Sequence, residues 1–318
     1  MADPQPQPQP VAIKQMIGLA PVDAIRFLDA KGYRTSVDWT DMMHDEHVAS
    51  FTAAKVAKID ILRTLHVSLL DALANGTPFA QWQAEVQPEL ERQGWWGKVQ
   101  DASITGTDEM VTIGPRRLRV IYDTNLRMAR ATALWGRIQN SKGLLPFLKY
   151  SAVLDRRTRP AHRAWNGIIL PVDHPWWQTH FPPCGWNCRC TVLQYSQDML
   201  DAGGLKVTQN PPPLDPVPFY RKSTGQTLQV PRGIDPGFAY NPGQARARAI
   251  MDKAAQSLAD AAAQGLADAI PSALADILAE LPGGPQPRAT IDRLTALAIG
   301  GEVAELAAAL AELLGVTG

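Results

Sequence analysis

All three cysteines of this 318-residue chain lie in one short stretch, "PPCGWNCRC", which runs from Pro182 to Cys190. They are Cys184, Cys188 and Cys190, and His162 precedes them by about twenty residues. Thiolate sulfur and imidazole nitrogen are the ligands that Zn²⁺ prefers in proteins. The same residue types could also form a reactive thiol or a buried core, so the stretch poses a choice between metal binding, nucleophilic chemistry and structure.

Zinc binding is the first of these possibilities. If "CRCTVLQY" is a strand, Cys188 and Cys190 face the same side, because side chains alternate along a strand. His162 is the best further ligand, and a fourth could come from Asp155, Cys184 or His180. Structural zinc sites usually combine two knuckles with C-x(2–4)-C spacing, and only one half is present here. Two interpretations stay open, a possible zinc site at His162, Cys188 and Cys190, and a core of buried thiols with hydrogen-bonded imidazoles.

Motifs for enzymatic chemistry are mostly missing from the sequence. His162 is followed by Arg-Ala, so the H-x-E motif of the zinc deaminases is absent. The zinc protease motif H-E-x-x-H, the hydrolase motif G-x-S-x-G, the phosphate-binding loop and the paired histidines of HNH-type nucleases are also absent. A Cys188 nucleophile with His162 as its base would have a second thiol beside it, which favours oxidation over acyl transfer. We therefore predict no catalytic residues and no enzyme; the alternative is a metal-dependent hydrolase or toxin-like enzyme centred on Asp155 and His162.

Charge is distributed unevenly along a chain whose formal net charge is zero. Residues 114–163 carry twelve Lys/Arg against two carboxylates, a balance of +10. Residues 21–113 have eight basic and fourteen acidic groups (−6), and residues 244–318 have five and nine (−4). A basic middle in a neutral chain predicts contact with a polyanion or an acidic partner at one place.

Two groups of arginines could make that contact. In a predicted helix from Arg116 to Asn140, one face carries the first group: Arg116, Arg119, Arg127, Arg130 and Arg137. The second group is Arg156, Arg157, Arg159 and Arg163. The alternatives are a solvated helix face with an ion pair to Asp123, and internal pairing of the second group with Asp155 and Asp173.

The elements that must position these residues follow from hydrophobic periodicity and from helix and turn signals. Helices are predicted over 21–33, over one long tract at 45–76, and over 77–97 with Thr77 as the N-cap. Three short strands are predicted at 148–155, 166–173 and 188–195, followed by a loop-rich stretch over 210–243.

These elements predict an α+β fold with a helical N-terminal region, a compact central α+β unit with short strands, and an Ala-rich helical C-terminal region. The predicted divisions are a disordered Pro/Gln tail (1–16), the helical region (17–113), the central unit (114–245) and the C-terminal helices (246–318). No apolar run reaches the roughly 18 residues that span a bilayer, which predicts no membrane contact. Three cysteines are too few for a disulfide framework, so we expect synthesis in a reducing host cytoplasm.

The stretches "AVLDRRTRPAHRAWNG", "DHPWW" and "PPCGWNCRC" together resemble the signature of the phage Mu F-like minor head proteins, which are related to the SPP1 gp7-type head morphogenesis family. The resemblance covers residues 17–245 and includes "RVIYDTNLRMARATALW" and "DPGFAYNPG". The signature positions are Asp155, Arg157, Thr158, Pro160, His162, Gly167, Trp177, Pro182, Pro183, Gly185, Trp186, Cys188, Arg189 and Cys190.

The resemblance implies a minor capsid protein inside the phage head near the portal, which aids head assembly and DNA packaging or ejection. The implied partners are the portal protein, the major capsid or scaffolding protein, and phage DNA bound non-specifically through its phosphates. An adaptor to portal or scaffold without DNA contact is the alternative. Two departures bear on zinc: Cys184 is usually not cysteine in the family, and Arg159 stands where some relatives carry a further cysteine.

Overall fold

The computed structural model describes residues 21–250, and in addition Arg293, Leu294, Ala296, Leu297, Glu305 and Ala309. The predicted tail and most of the predicted C-terminal region lie outside these residues. The described part combines helices with small sheets, which confirms the predicted α+β class. Within it, no helix has both the length and the apolar character needed to cross a membrane.

Helices α1 (Val22–Asp29), α3 (Ile59–Asn75) and α4 (Phe79–Arg92) build the N-terminal core. Helix α3 buries Leu62, Leu65 and Leu69 on one face, as its three- and four-residue spacing predicts. It ends at Gly76, which has the left-handed conformation common at helix ends (φ 67°). The predicted N-cap Thr77 is wrong, because α4 begins one residue later after Pro78 and no side chain caps it.

The long helical tract predicted for 45–76 is also wrong over its first half. Residues Asp45–Ala49 form a short helix α2, and Ser50–Phe51 (β2) pair in parallel with Gly32–Tyr33 (β1). Tertiary contacts hold the following loop, since the Trp95 indole donates to the Lys55 carbonyl at 2.8 Å. These contacts outweigh the local preference for helix. A second small sheet pairs β3 (Gly97–Val99) with β4 (Val111–Ile113), with the short helix α5 (Ala102–Thr105) between them.

Helix α6 (Pro115–Ser141) confirms the predicted arginine-bearing helix. Its 27 residues extend over about 40 Å at 1.5 Å per residue. Leu118, Leu126 and Ala129 lie in the N-terminal core, whereas Trp135 and Ile138 lie in a second core formed by the central unit. One helix therefore connects the two cores.

The central unit contains an antiparallel sheet of order β6-β5-β7, made of Phe147–Ser151 (β5), Ile169–Pro171 (β6) and Thr191–Tyr195 (β7). All three predicted strands are found, each shorter than predicted. The short helices α7 (Pro160–Ala164), α8 (Trp177–His180) and α9 (Gln197–Ala202) accompany them. The core between them is rich in aromatic side chains, including Tyr150, Trp165, Trp176, Trp177 and Phe181.

The predicted loop-rich stretch contains a β-hairpin that sequence analysis missed, β8 (Pro216–Arg221) with β9 (Gln226–Pro231). Prolines at both ends of this segment argued against strands. Arg221 connects the hairpin to the N-terminal half. Its guanidinium donates hydrogen bonds to the carbonyls of Thr40 (2.7 Å) and Asp41 (2.8 Å) and to the Glu46 carboxylate (2.9 Å). A 3₁₀ turn (Pro236–Phe238) and a helical segment over 242–250 follow.

Candidate functional site

Asp155 connects the two halves of the sequence signature. Its Oδ1 accepts hydrogen bonds from the Arg157 amide (3.0 Å) and the Thr158 hydroxyl (3.3 Å), which close a tight turn. The same oxygen accepts from Nη2 of Arg189 at 2.6 Å. The Arg189 guanidinium holds the pKa of Asp155 well below its usual range. Asp155 thus attaches the turn before α7 to the cysteine-bearing loop.

His162 lies on α7, where Pro160 occupies the first helical position, and only 2% of it is exposed. Its Nε2 is 3.0 Å from the Gly233 carbonyl oxygen, and its ring stacks on Trp165. Its Nδ1 is 3.6 Å from Sγ of Cys188 and 3.6 Å from Sγ of Cys190. Both ring nitrogens therefore have partners other than Asp155.

The two thiols differ in their electrostatics. The hydrogen bond from Cys190, together with the adjacent His162, lowers the pKa of Cys188 below its usual value despite its burial. The same pairing raises the pKa of Cys190. The lowered pKa favours the thiolate of Cys188, and a thiolate is the form of cysteine that binds metal ions.

The ligand atoms of His162, Cys188 and Cys190 all lie within 4.8 Å of one another, and this is the one such group found in the described part of the chain. Cys188 and Cys190 were expected to face one side because they would alternate along a strand. This reason was wrong, since both cysteines precede strand β7. The structure brings them together through the loop before the strand. The residues suggested for a fourth ligand, Asp155, Cys184 and His180, are not members of the group.

Cys184 and His180 belong to the aromatic core. The fully buried Cys184 thiol lies 3.4 Å from the His180 carbonyl and 3.9 Å from the Tyr150 hydroxyl. The His180 ring stacks on Trp176, and burial lowers the pKa of His180 to about 4. Both residues therefore stabilise the fold around the site.

Other signature residues shape the backbone. Gly167 has φ 90° and its amide donates to the Tyr150 carbonyl at 2.9 Å. The peptide bond between Pro182 and Pro183 is cis. A Cβ on Gly185 would lie 2.0 Å from Nη1 of Arg159 and 2.5 Å from Oδ2 of Asp235, so this ion pair would have to shift to admit a side chain. The Trp177 indole donates to a strand carbonyl, and the Trp186 ring packs edge-on against two aromatic rings from other segments.

Sequence analysis missed Gly233 and Asp235, which complete the site from about seventy residues away. The Gly233 carbonyl holds His162, and Asp235 Oδ2 accepts from Nη2 of Arg159 (2.8 Å) and from the Trp186 amide (2.8 Å). The only sequence signal was the Asp-Pro-Gly at 235–237, which indicated a turn and no partner. Asp173, expected to pair with the second arginine group, instead pairs with Lys142 at 3.2 Å.

The arginines of helix α6 divide into two kinds. Arg127 points into the molecule, where its guanidinium donates to the Cys188 carbonyl and lies 3.6 Å from Asp123. The remaining members of the first group are exposed, and Arg119 stacks over the Phe79 ring at 3.6 Å. The exposed set is Arg116, Arg119, Arg130 and Arg137.

The second arginine group is used largely within the molecule. Arg157 lies 3.6 Å from Asp155, and Arg159 pairs with Asp235. Arg163 donates to the carbonyls of Leu154 (3.2 Å) and Asp155 (2.6 Å). Arg156 is exposed and makes no ion pair among the described residues. Internal pairing with Asp155 is thus found for Arg157, as one alternative predicted.

A cleft of about 680 Å³ lies over the three candidate metal ligands, all of which line it. Its other charged lining residues are one carboxylate, Asp123, and five arginines: Arg119, Arg127, Arg157, Arg159 and Arg189. Asp155 and Asp235, which do not line the cleft, pair with three of these arginines, so the five guanidinium groups exceed the carboxylates beside them by two. A concave surface with this positive balance attracts anions. The arrangement can therefore place a bound anion beside the histidine and the two cysteines.

Comparisons with known proteins agree with the sequence signature. Residues 63–193 match the family described as Phage Mu protein F like protein. The chain is 33% identical over 243 residues to the "Putative capsid assembly protein F" of Escherichia phage Mu, a match that covers 71% of this chain and 55% of that protein. It is 32% identical over 221 residues to the "Mu-like prophage FluMu F protein" of Haemophilus influenzae, covering 65% of this chain and 53% of that one.

The chain thus spans about half the length of the curated relatives that it matches. No solved structure matches it significantly. The matched region, 63–193, contains helix α6, the Asp155 turn, His162 and both cysteines of the site. The resemblance predicted from the motif is confirmed: residues 63–193 match the model of the Phage Mu F-like proteins, and most of the chain is similar to two members named as F proteins.

Proposed function

We propose that this chain is a phage head morphogenesis protein, a minor capsid component that lies inside the head near the portal. One observation carries the proposal: most of the chain is similar to a protein named putative capsid assembly protein F, at 33% identity over 243 residues. The signature residues that support the resemblance form one connected unit around Asp155, His162 and the Cys188 loop. The partners would be the portal protein and the major capsid or scaffolding protein.

Contact with phage DNA is the second part of the proposal, and it would serve packaging or ejection. The exposed arginines on helix α6 and Arg156 supply positive charge, and within α6 only Asp123 offsets it. Binding to phosphates releases counterions, so the contact would be independent of sequence and sensitive to salt. Arg159 and Arg163 contribute less, because their guanidinium groups already bind Asp235 and backbone carbonyls.

The role in the particle is tested by deleting the gene from the phage that encodes it and complementing it in trans. We expect defective heads in the deletion, restored infectivity on complementation, and a low copy number by quantitative mass spectrometry of purified particles. In intact particles the chain should resist added protease and become accessible after the DNA is ejected. Normal heads in the deletion strain would refute the assembly role.

The DNA contact is tested by measuring how binding to double-stranded DNA depends on salt. The double variant Arg130→Glu/Arg137→Glu should bind more weakly and lower the slope of log K against log salt by about 2, one unit per lost phosphate contact. Arg63→Glu is the matched control, because Arg63 is an exposed arginine on α3 in the acidic half, paired with Asp60. An unchanged slope in the double variant would favour the adaptor that binds portal or scaffold without DNA.

A further inference from the structure

We propose that His162, Cys188 and Cys190 bind a zinc ion through three protein ligands, and that the fourth coordination position opens into the arginine-lined cleft and takes a phosphate oxygen. The site would therefore bind a phosphate group. It would not be a closed structural zinc knuckle. This inference concerns the isolated chain and does not depend on the role proposed for it in the phage head.

The spacing of the three ligand atoms fits tetrahedral zinc. Bond lengths of about 2.3 Å to sulfur and 2.05 Å to nitrogen, at a tetrahedral angle, place the sulfur and the nitrogen roughly 3.6 Å apart. The separations from His162 Nδ1 to the sulfurs of Cys188 and Cys190 are both 3.6 Å. Both nitrogen–sulfur separations therefore match those of tetrahedral zinc.

The protonation of His162 also suits a metal ligand. A carbonyl oxygen can only accept a hydrogen bond, so the contact with Gly233 places the ring proton on Nε2. In the neutral imidazole this leaves the lone pair of Nδ1 directed at the two sulfurs. A metal-bound histidine commonly has this second hydrogen bond to a carbonyl or carboxylate, which fixes the orientation of the ring.

The described residues that might close the site are bound elsewhere. Asp155 is held by Arg189 at 2.6 Å, and Cys184 contacts the His180 carbonyl in the aromatic core. No further histidine, cysteine or carboxylate of the described part joins the group. Zinc with three protein ligands keeps its fourth position for water or an exogenous ligand, in contrast to structural sites with four.

The surroundings of the open position select an anion. The three ligands line the same cleft as five arginines. Four of these pair with the carboxylates of Asp123, Asp155 and Asp235, which leaves two guanidinium charges in excess. Arg119 stacks on Phe79 and makes no ion pair among the described residues, and the Arg157 side chain is 72% exposed, so both can turn donors towards a ligand. Guanidinium groups match phosphate oxygens in a two-point geometry, and Zn²⁺ accepts a hard oxygen ligand. The phosphate could be free or could belong to nucleic acid.

The experiment uses the full-length chain loaded with Co²⁺, whose visible absorption reports the number and type of its ligands. We expect one metal per chain and a tetrahedral thiolate spectrum that inorganic phosphate changes in a saturable manner. Arg119→Gln and Arg157→Gln should each weaken phosphate binding about tenfold without changing the metal content, since each removes one charge-assisted hydrogen bond. Arg137→Gln, an exposed arginine of the same helix that does not line the cleft, should have no effect.

His162→Ala and Cys190→Ser should abolish metal binding; if either variant fails to fold, removal of the metal from the wild-type chain with a chelator replaces it. In both cases the phosphate response should disappear. A spectrum that does not change with phosphate, or a chain that binds neither Co²⁺ nor Zn²⁺, would overturn the proposal. A short oligonucleotide with a 5′-phosphate, and the same oligonucleotide without it, are then tested as competitors of inorganic phosphate. Competition by the phosphorylated form alone would assign the site to the end of a nucleic acid, and no competition by either would assign it to free phosphate.

Discussion

Replacing Gly233 by alanine tests how closely the segment after the hairpin packs against helix α7, which carries His162. Gly233 has φ 93°, and a Cβ at this position would lie 2.5 Å from the Cβ of Ala161 and 3.1 Å from the Trp165 ring. The left-handed backbone costs an L-residue about 1–2 kcal/mol. Forcing a methyl group into a filled core costs roughly 1–3 kcal/mol more. We therefore expect Gly233→Ala to lower the free energy of unfolding by about 2–5 kcal/mol.

Gly167→Ala is the matched control, because Gly167 has nearly the same φ of 90° but no atom within 4 Å of its Cβ position. It should lose only the backbone part, about 1–2 kcal/mol. Both variants are compared with the wild type by urea denaturation at pH 7, followed by tryptophan fluorescence. Equal losses in the two variants would refute the close packing of Gly233 against α7.

The same substitution has a second consequence at the site. Because the Gly233 carbonyl orients His162, moving it should reduce zinc affinity 10–100-fold, the range typical for loss of a second hydrogen bond on a metal-bound histidine. Competition with a chromogenic chelator measures this affinity. An unchanged zinc affinity in a variant that has lost stability would show that the histidine does not need this carbonyl.

Three further predictions concern the surroundings of the site. Asp235→Ala removes the acceptor of two hydrogen bonds and should lower the free energy of unfolding, measured with urea, by about 1–3 kcal/mol. The control Asp215→Ala, which removes an exposed ion pair, should lower it by less than about 1 kcal/mol. Equal losses would contradict the bridging role of Asp235. Burial lowers the pKa of His180 to about 4 from its usual 6.5, so the unfolded chain binds more protons between these values and stability is lost as the pH falls through this window. Between pH 7 and pH 4, the free energy of unfolding of His180→Asn should fall by about 3 kcal/mol less than that of the wild type. Equal falls in the two proteins would refute this assignment. Arg221→Ala should lower the free energy of unfolding by about 2–4 kcal/mol, because Arg221 connects the hairpin to the N-terminal half. The control Lys222→Ala, at an exposed neighbouring residue, should change it by less than about 0.5 kcal/mol. A similarly small change in both variants would show that the connection is weak.

Much of the secondary structure was available from the sequence because it rests on local patterns. Helix α6 was predicted to within a residue at each end, since its periodicity persists over 27 residues. The three central strands were found because each carries a short apolar run between turn signals. The hairpin at 216–231 was missed because prolines stand at both ends of the segment. The first half of the tract at 45–76 was misjudged because β2 pairs with β1, 18 residues earlier in the chain. Local preference cannot report such contacts.

For the candidate site, the sequence by itself determined the residue types and the family signature, and so it could name His162, Cys188 and Cys190 together. Only the tertiary structure decided that Asp155 belongs to Arg189 and not to that group, and that Gly233 sets the proton position on His162. It also turned Arg127 inward onto the Cys188 loop while leaving Arg130 and Arg137 in solvent. The physical reason is that ion pairs and hydrogen bonds depend on the distance between atoms in space. The residues that form these interactions are 34 to 71 positions apart in the chain.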